Sequence, residues 1–361
     1  MAEKGIAPGL SVIGYGIWSA LGHDGPSTIA GIRGQIIGSE TGNLWDPTIG
    51  AHLNSFRVAA HQWWEGPTFL PDLAAPPIEE CLSQVAHLPP ALRRPASEIP
   101  ILVTVAPKDR PGRPADLETL VLDGLARKLG RPLPQGSGVI GGGRCGLPHL
   151  LATAARQSDR HPIQILVGVE SLLRQVVVEH YIGQNRLFCG ANTSGFTLGE
   201  AASAILVART GSIQGPELAI TGLGMGLEPS RDGGSREQAV TGEGLTQAIR
   251  AALAVTGIPF YDFPALIGDL NGEHFKFKEQ MMAQMRLDRV PPEGHSRRPR
   301  GYVEHWNLIE YAGEIGAALM PAQLAWAFDM GRAGLLPQNR ALCFAGEDDG
   351  RRVALTAEMR A

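Results

Sequence analysis

Cysteine is scarce in this chain. Its 361 residues hold four, Cys81, Cys145, Cys189 and Cys343, all isolated and none in a CxxC pair. That usage excludes a disulfide framework and is what a reduced, cytoplasmic protein shows. Long apolar runs are missing as well. No stretch approaches the ~20 uninterrupted apolar residues that cross a bilayer, and the opening Met1-Ala-Glu-Lys-Gly-Ile lacks the apolar run of a signal peptide. An excess of one charge is also lacking, because 32 Lys and Arg face 36 Asp and Glu for a net −4. This balance argues against a surface for nucleic acid or anionic membrane. No HExxH or comparable ligand spacing is present, so neither a metal nor another cofactor is expected.

What is there is globular: 43% hydrophobic and 19% charged residues, with mean hydropathy −0.03. The length exceeds the ~250–300 residues that one core usually serves, so two domains or two fused halves are expected. Glycine (46) and proline (27) are plentiful. They follow no triplet period, which excludes collagen and leaves tight turns or closely approaching backbones.

Buried-strand patterns at Leu10–Gly16, Ile101–Ala106 and Ile163–Val169 alternate with helical ones. A helix starts near Pro26, another covers about 115–130 with Leu117, Leu120, Leu125 and Leu129 on one face, and a third follows Gly141-Gly-Gly-Arg-Cys145 through Leu150, Leu151 and Ala155. Residues 38–98 read as irregular, with Trp45, Trp63 and Trp64 as a core-edge cap or an interface anchor. Alternation of this kind predicts α/β layers. An internal echo adds to it. Leu10-Ser-Val-Ile-Gly-Tyr-Gly16 returns as Leu218-Ala-Ile-Thr-Gly-Leu-Gly224, and Ala202–Ala208 corresponds to Arg352–Ala357. Together they suggest a duplicated unit, residues 1–209 and 210–361, joined near 209–217.

These residues also resemble the ketosynthases of the thiolase superfamily. Val12-Ile-Gly-Tyr-Gly-Ile-Trp-Ser-Ala-Leu-Gly22 is similar to the ketosynthase opening, and Val167-Gly-Val-Glu-Ser171 to "GGVES". The longest match is Ser194-Gly-Phe-Thr-Leu-Gly-Glu-Ala-Ala-Ser-Ala-Ile-Leu-Val207 against "DGFVPGEGAAALVL". Gly268-Asp-Leu-Asn-Gly272, Gly313–Ala318 and Phe344-Ala-Gly-Glu-Asp-Asp-Gly350 stand where the family has "HGTGT", "GHLLGAAGA" and "FGFGGTN". The resemblance implies a five-layer αβαβα sandwich of two fused similar halves, and a homodimer.

It also implies a site. In that family a cysteine at a helix N-terminus attacks an acyl thioester, and two histidines stabilise the oxyanion and enolate of decarboxylative condensation. Counting back from Val167 without gaps puts the nucleophile at Gly142, with Cys145 three residues later. The histidine positions fall on Asp269 and Glu310, and the lysine that precedes the second falls on His305. A neutral imidazole donates to an oxyanion, whereas a carboxylate only accepts, so Asp269 and Glu310 would repel the developing charge unless paired and protonated. The reading is a ketosynthase fold with a degenerate site made of Gly142, Cys145, Asp269, His305 and Glu310.

Other features are read more plainly. Gly141-Gly-Gly143 is a tight turn with close backbone contact, and Arg144 is its candidate anion contact. If the resemblance holds, Asp269, Glu273, His274, His305, Glu310 and Glu314 converge, a set of carboxylates and imidazoles that invites a divalent metal, although no ligand spacing supports one. Lys276-Phe-Lys278 and Ser296-Arg-Arg-Pro-Arg300 read as solvated loops, or as docking points for an acyl-carrier protein. The acidic replacements and the closing Asp348-Asp-Gly350 resemble thiolase-like accessory proteins of bacterial type VI secretion effector clusters. That implies a scaffold, adaptor or chaperone whose partner is a protein. Two other functions stay open: an acyltransferase, hydrolase or β-ketoacyl-ACP synthase-type enzyme with a reorganised site using Cys145, and a partner that sets chain length in a heterodimer.

Overall fold

The computed structural model describes residues 5–59, 66–230 and 238–361; Trp63 and Trp64 lie outside the described residues. The first half of the chain supplies strands β1 (Leu10–Trp18), β2 (Glu40–Asp46), β3 (Ala51–Ser55), β4 (Ile101–Thr104), β5 (Gly138–Ile140), β6 (Ile163–Ser171) and β7 (Glu200–Arg209). Its helices are α1 (Gly25–Arg33), α2 (Leu70–Gln84), α3 (Leu117–Lys128), α4 (Leu147–Gln157) and α5 (Gln175–Gly183). The second half supplies β8 (Glu217–Leu227), β9 (Ala265–Ile267), β10 (Glu304–Trp306), β11 (Arg340–Gly346) and β12 (Arg351–Arg360). Its helices are α6 (Glu243–Thr256), α7 (His274–Arg289), α8 (Ile309–Ala312) and α9 (Leu319–Arg332).

One strand order is used twice. The first half runs β5-β4-β6-β7-β1 and the second β10-β9-β11-β12-β8, with β1 and β8 meeting side by side. In each half the three outer strands are parallel and the two inner ones antiparallel. The echoed segments are neighbours, since Ser11 faces Ala219 and Val12 faces Leu218.

Period-two alternation sorts the strand side chains into three layers of core. Ile163, Ile165, Val167 and Val169 of β6 join α2 and α3 on one outer face. Leu342 and Phe344 of β11 join α6 and α7 on the other. Between the two halves, Leu147, Leu150 and Leu151 of α4 and Leu319 to Phe328 of α9 fill a central helical layer against both. The result is the five-layer αβαβα sandwich of two similar halves.

Glycine explains how close the layers come. An added Cβ at Gly16 of β1 would lie 2.4 Å from the carbonyl oxygen of Pro77 in α2, and one at Gly224 of β8 would lie 2.1 Å from that of Ala248 in α6. Each echoed strand is thus pressed backbone to backbone against its helix.

Residues 38–98 are more regular than their sequence reads. They contain the β2–β3 hairpin and the 15-residue α2. Pro76 and Pro77 sit inside α2, where proline normally ends a helix. Tertiary contacts outweigh that cost. Leu73, Ala74, Ile78 and Cys81 are fully buried, Gln84 exchanges hydrogen bonds with the Tyr15 backbone, and Glu80 accepts from the N–H groups of Ile17 and Gly25.

Candidate functional site

The C-terminal ends of the parallel strands of both halves converge on one place. β5 runs into Gly141–Gly146, whose Gly143–Cys145 part is a single 3-10 turn, and α4 begins at Leu147. Gly143 has φ +58° and donates its N–H to the Val105 carbonyl at 2.9 Å. This turn has no room for side chains on its first residues. A Cβ on Gly142 would come within 2.4 Å of the Gly146 Cα, and one on Gly143 within 2.1 Å of Glu347 Oε2. Gly141, Gly143 and Gly146 have the G-x-G-x-x-G spacing between a strand and a helix, yet the place above the turn is taken by the Glu347 carboxylate, which accepts the Arg144 N–H at 2.9 Å.

Cys145 does not open toward a ligand. Its side chain is fully buried, and Sγ faces the carbonyl oxygens of Arg351 at 3.5 Å and Ala345 at 3.9 Å. Burial, then the nearby Glu347 carboxylate, pushes its thiol up to about 12. The sequence places Cys145 at the start of a helix; the structure puts it in the preceding turn, with its sulfur on acceptors that hold the proton.

Around this turn lies a buried network of charge. Arg110, from the loop after β4, donates to Glu170 at 2.7 Å, Glu347 at 3.0 Å and Asp348 at 3.0 Å. Arg144 donates to Glu314 at 2.9 Å, Glu347 at 3.2 Å and Asp348 at 2.8 Å. Arg186 reaches both Glu273, at 2.7 Å, and Asp348, at 3.0 Å. Asn271 ties Glu273 to Glu314 through one amide. On the α7 side Lys276 pairs with Asp269, and Arg352 with Glu279 at 2.6 Å.

The electrostatics follow from this pairing. Burial alone would raise every carboxyl group. Against that pull, Arg110 and Arg144 lower Glu347 to about 2, and Arg144, Arg186 and Arg110 hold Asp348 well below the ordinary carboxylate range. Lys276 likewise keeps Asp269 below its ordinary value in spite of burial. Glu170 goes the other way, because burial outweighs Arg110 there.

The sequence-derived positions separate into two groups. Arg144, Asp269, Glu273 and Glu314 are brought together in the network. His274 and Glu310 are exposed at the surface, with Glu310 accepting from Asn307 at 3.3 Å. His305 lies on β10, where its Nδ1 meets Gln280 at 3.0 Å, and burial followed by Arg300 lowers its pKa. Asp269 and Glu310 therefore do not pair as two carboxyls sharing a proton. Asp269 is instead held as a carboxylate by Lys276 and by the Gly346 N–H at 2.8 Å. Lys276 is accordingly no solvated loop residue: it is buried on α7, while Lys278 is exposed.

Arg110, Glu170, Tyr181, Arg186, Glu279 and Arg352 escape notice in the sequence. Glu170 sits in the ketosynthase-like Val167–Ser171 string, but nothing in one sequence pairs it with Arg110, which lies 60 residues away. Chemically, the network leaves little for an incoming thioester. Its carboxylates are engaged by cations, and the one thiol beside it is protonated. Among the described residues no group of three or more His, Cys, Asp or Glu side chains is arranged to hold a metal ion, and no helix is long and apolar enough to cross a membrane.

Neither a protein-family model nor a curated protein matches the sequence. Solved structures do match the fold. One is a ketosynthase in complex with its chain length factor from Xenorhabdus doucetiae, at 13% identity over 97% of this chain and 98% of that one, TM-score 0.71. Another is the ishigamide ketosynthase/chain length factor, at 16% identity over 98% and 99%, TM-score 0.66. A third is the ketosynthase from module 6 of the bacillaene synthase of Bacillus subtilis 168, at 12% identity over 97% and 72%, TM-score 0.68. Over 97–98% of its length, this chain matches the thiolase-like fold of the ketosynthases and chain length factors.

Proposed function

We propose that the protein is a non-condensing, ketosynthase-like binding protein, a scaffold or adaptor that works through a protein partner. One observation carries this reading: the carboxylate of Glu347 fills the space into which a side chain on Gly143 would project, and arginines fix it there. Condensation needs a thiolate and two donors aimed at a developing oxyanion. Here the donors are spent on internal carboxylates, and Cys145 keeps its proton. The acyltransferase alternative finds no support in a thiol so placed.

Solved neighbours include a ketosynthase with its chain length factor and an acyl-carrier protein with its ketosynthase. A partner of that kind, or an effector or chaperone of a type VI secretion cluster, is the class of protein the reading calls for. It also takes the chain as a cytoplasmic homodimer and as two copies of one unit meeting near 209–217. The test is co-expression with the products of neighbouring genes. The reading expects a stable complex that Cys145→Ala leaves intact. Condensing or acyl-transfer activity that Cys145→Ala abolishes would refute it.

A further inference from the structure

The carboxylate of Asp348 is held the way a receptor holds a ligand. Oδ1 accepts from Arg144 Nη2 at 2.8 Å and Arg186 Nη2 at 3.0 Å. Oδ2 accepts from Arg110 Nη1 at 3.0 Å and the Tyr181 hydroxyl at 2.8 Å. Two oxygens each take two donors, which saturates the four lone-pair sites of a carboxylate. The donors come from three places: the loop after β4 (Arg110), the turn before α4 (Arg144), and α5 with the turn that ends it (Tyr181, Arg186). They are oriented by other partners: Arg110 by Glu170 and Glu347, Arg144 by Glu314 and Glu347, Arg186 by Glu273. Removing Asp348 would therefore leave the cradle standing.

Asp348 is also the member that solvent reaches. Its side chain is 18% exposed, against 3% for Arg110 and Arg144, 6% for Arg186 and 1% for Glu347. Glu347 roots the turn in the interior, while its neighbour stands at the mouth.

We propose that Arg110, Arg144, Arg186 and Tyr181 form a carboxylate-binding site for which Asp348 is a built-in ligand, and that a free carboxylate occupies it once the Asp348 side chain is removed. Exchange conserves charge, because one monoanion replaces another among fixed guanidinium groups. A tethered, preoriented ligand competes at high effective concentration, so the intact protein is self-saturated toward small acids. The proposal takes the site as that of a binding protein, as above. Its test reads carboxylate occupancy and not acyl transfer, so either reading can fail without the other.

The experiment compares the wild-type chain with Asp348→Ala by thermal unfolding in sodium acetate, sodium chloride and sodium phosphate at equal ionic strength and pH 7. Asp348→Ala should lower Tm, and acetate should recover about 3 °C or more over chloride, with saturation, as a ligand bound only to the folded state does. The wild type should respond alike to acetate and chloride. Asp348→Asn, which keeps the space filled, should gain nothing from acetate. Equal gains in all three proteins, no gain from acetate in Asp348→Ala, or a gain from phosphate but not acetate would overturn the proposal. Should Asp348→Ala be recovered unfolded, refolding in acetate against chloride gives the same decision. Soluble protein in acetate alone supports the site, and equal or no recovery overturns it.

Discussion

Replacing Glu347 by glutamine removes one charge and almost no volume, so it isolates what the buried anion contributes. In the structure Oε1 accepts from Arg110 Nη2, Arg144 Nη2 and the Asp348 N–H, at 3.0, 3.2 and 3.0 Å, and Oε2 accepts from the Arg144 N–H at 2.9 Å. Arg110 and Arg144 hold its carboxyl ionised well below the ordinary range in spite of burial. Removing one partner of a buried ion pair costs roughly 3–5 kcal/mol. Against a typical total of about 5–15 kcal/mol, that loss is large. Urea unfolding followed by circular dichroism should show Glu347→Gln with a lowered midpoint and an unchanged slope, equivalent to about 3–5 kcal/mol. An exposed pair is worth roughly 0–1 kcal/mol. A loss in that range, or a gain, would refute the claim that arginines hold a buried anion above the turn.

Three more outcomes follow from the same geometry. Glu347, Asp348 and Asp269 have folded pKa values below their unfolded ones; their contribution is present above about pH 4 and is lost as pH falls toward about 2, only partly offset by Glu170 and Glu279, whose values are raised. Tm should therefore drop between about pH 4.5 and about pH 2.5, and a flat profile would contradict it. Gly143→Ala, which drives a Cβ into the Glu347 carboxylate, should cost well over the ~1 kcal/mol expected at Gly130, where φ is also positive but the space is open; equal costs in urea unfolding would count against the filled site. In the folded protein, iodoacetamide at pH 8 should label Cys189, which is partly exposed, and leave the buried Cys145 unmodified; labelling of Cys145 at a comparable rate would contradict its burial.

Much of the frame was legible because it is written in local pattern. Apolar strands such as Ile163–Val169 and the repeated glycine-bearing strands at 10–16 and 218–224 need only their own residues to declare a buried, closely packed place. Pro26 likewise marks the start of α1, which the structure shows capped by the Asp24 side chain accepting from the Ser27 N–H. α2 was hidden because Pro76 and Pro77 contradict helix propensity locally, and what offsets them is tertiary packing against β1, β6, β7 and α3. The site was half legible for a similar reason. Asp269 and the acidic Glu347–Asp349 turn stand out as departures from a ketosynthase-like pattern, and Arg144 as a cation at a glycine turn. Their partners do not, since Arg110 and Glu347 are 237 residues apart in sequence and meet only when the two halves fold together. His305 and Glu310 illustrate the converse: alignment by spacing points at them, while the fold carries them away from the network.

A turn filled by Glu347, with Cys145 buried beside it, is expected to form no acyl-enzyme. Intact-protein mass spectrometry after incubation with an acyl thioester tests it most directly, with peptide mapping at Cys145 and Cys145→Ala as the control. The account predicts no acyl adduct on Cys145 and thioester loss no faster than in buffer. A stoichiometric adduct on Cys145 that disappears in Cys145→Ala would contradict it.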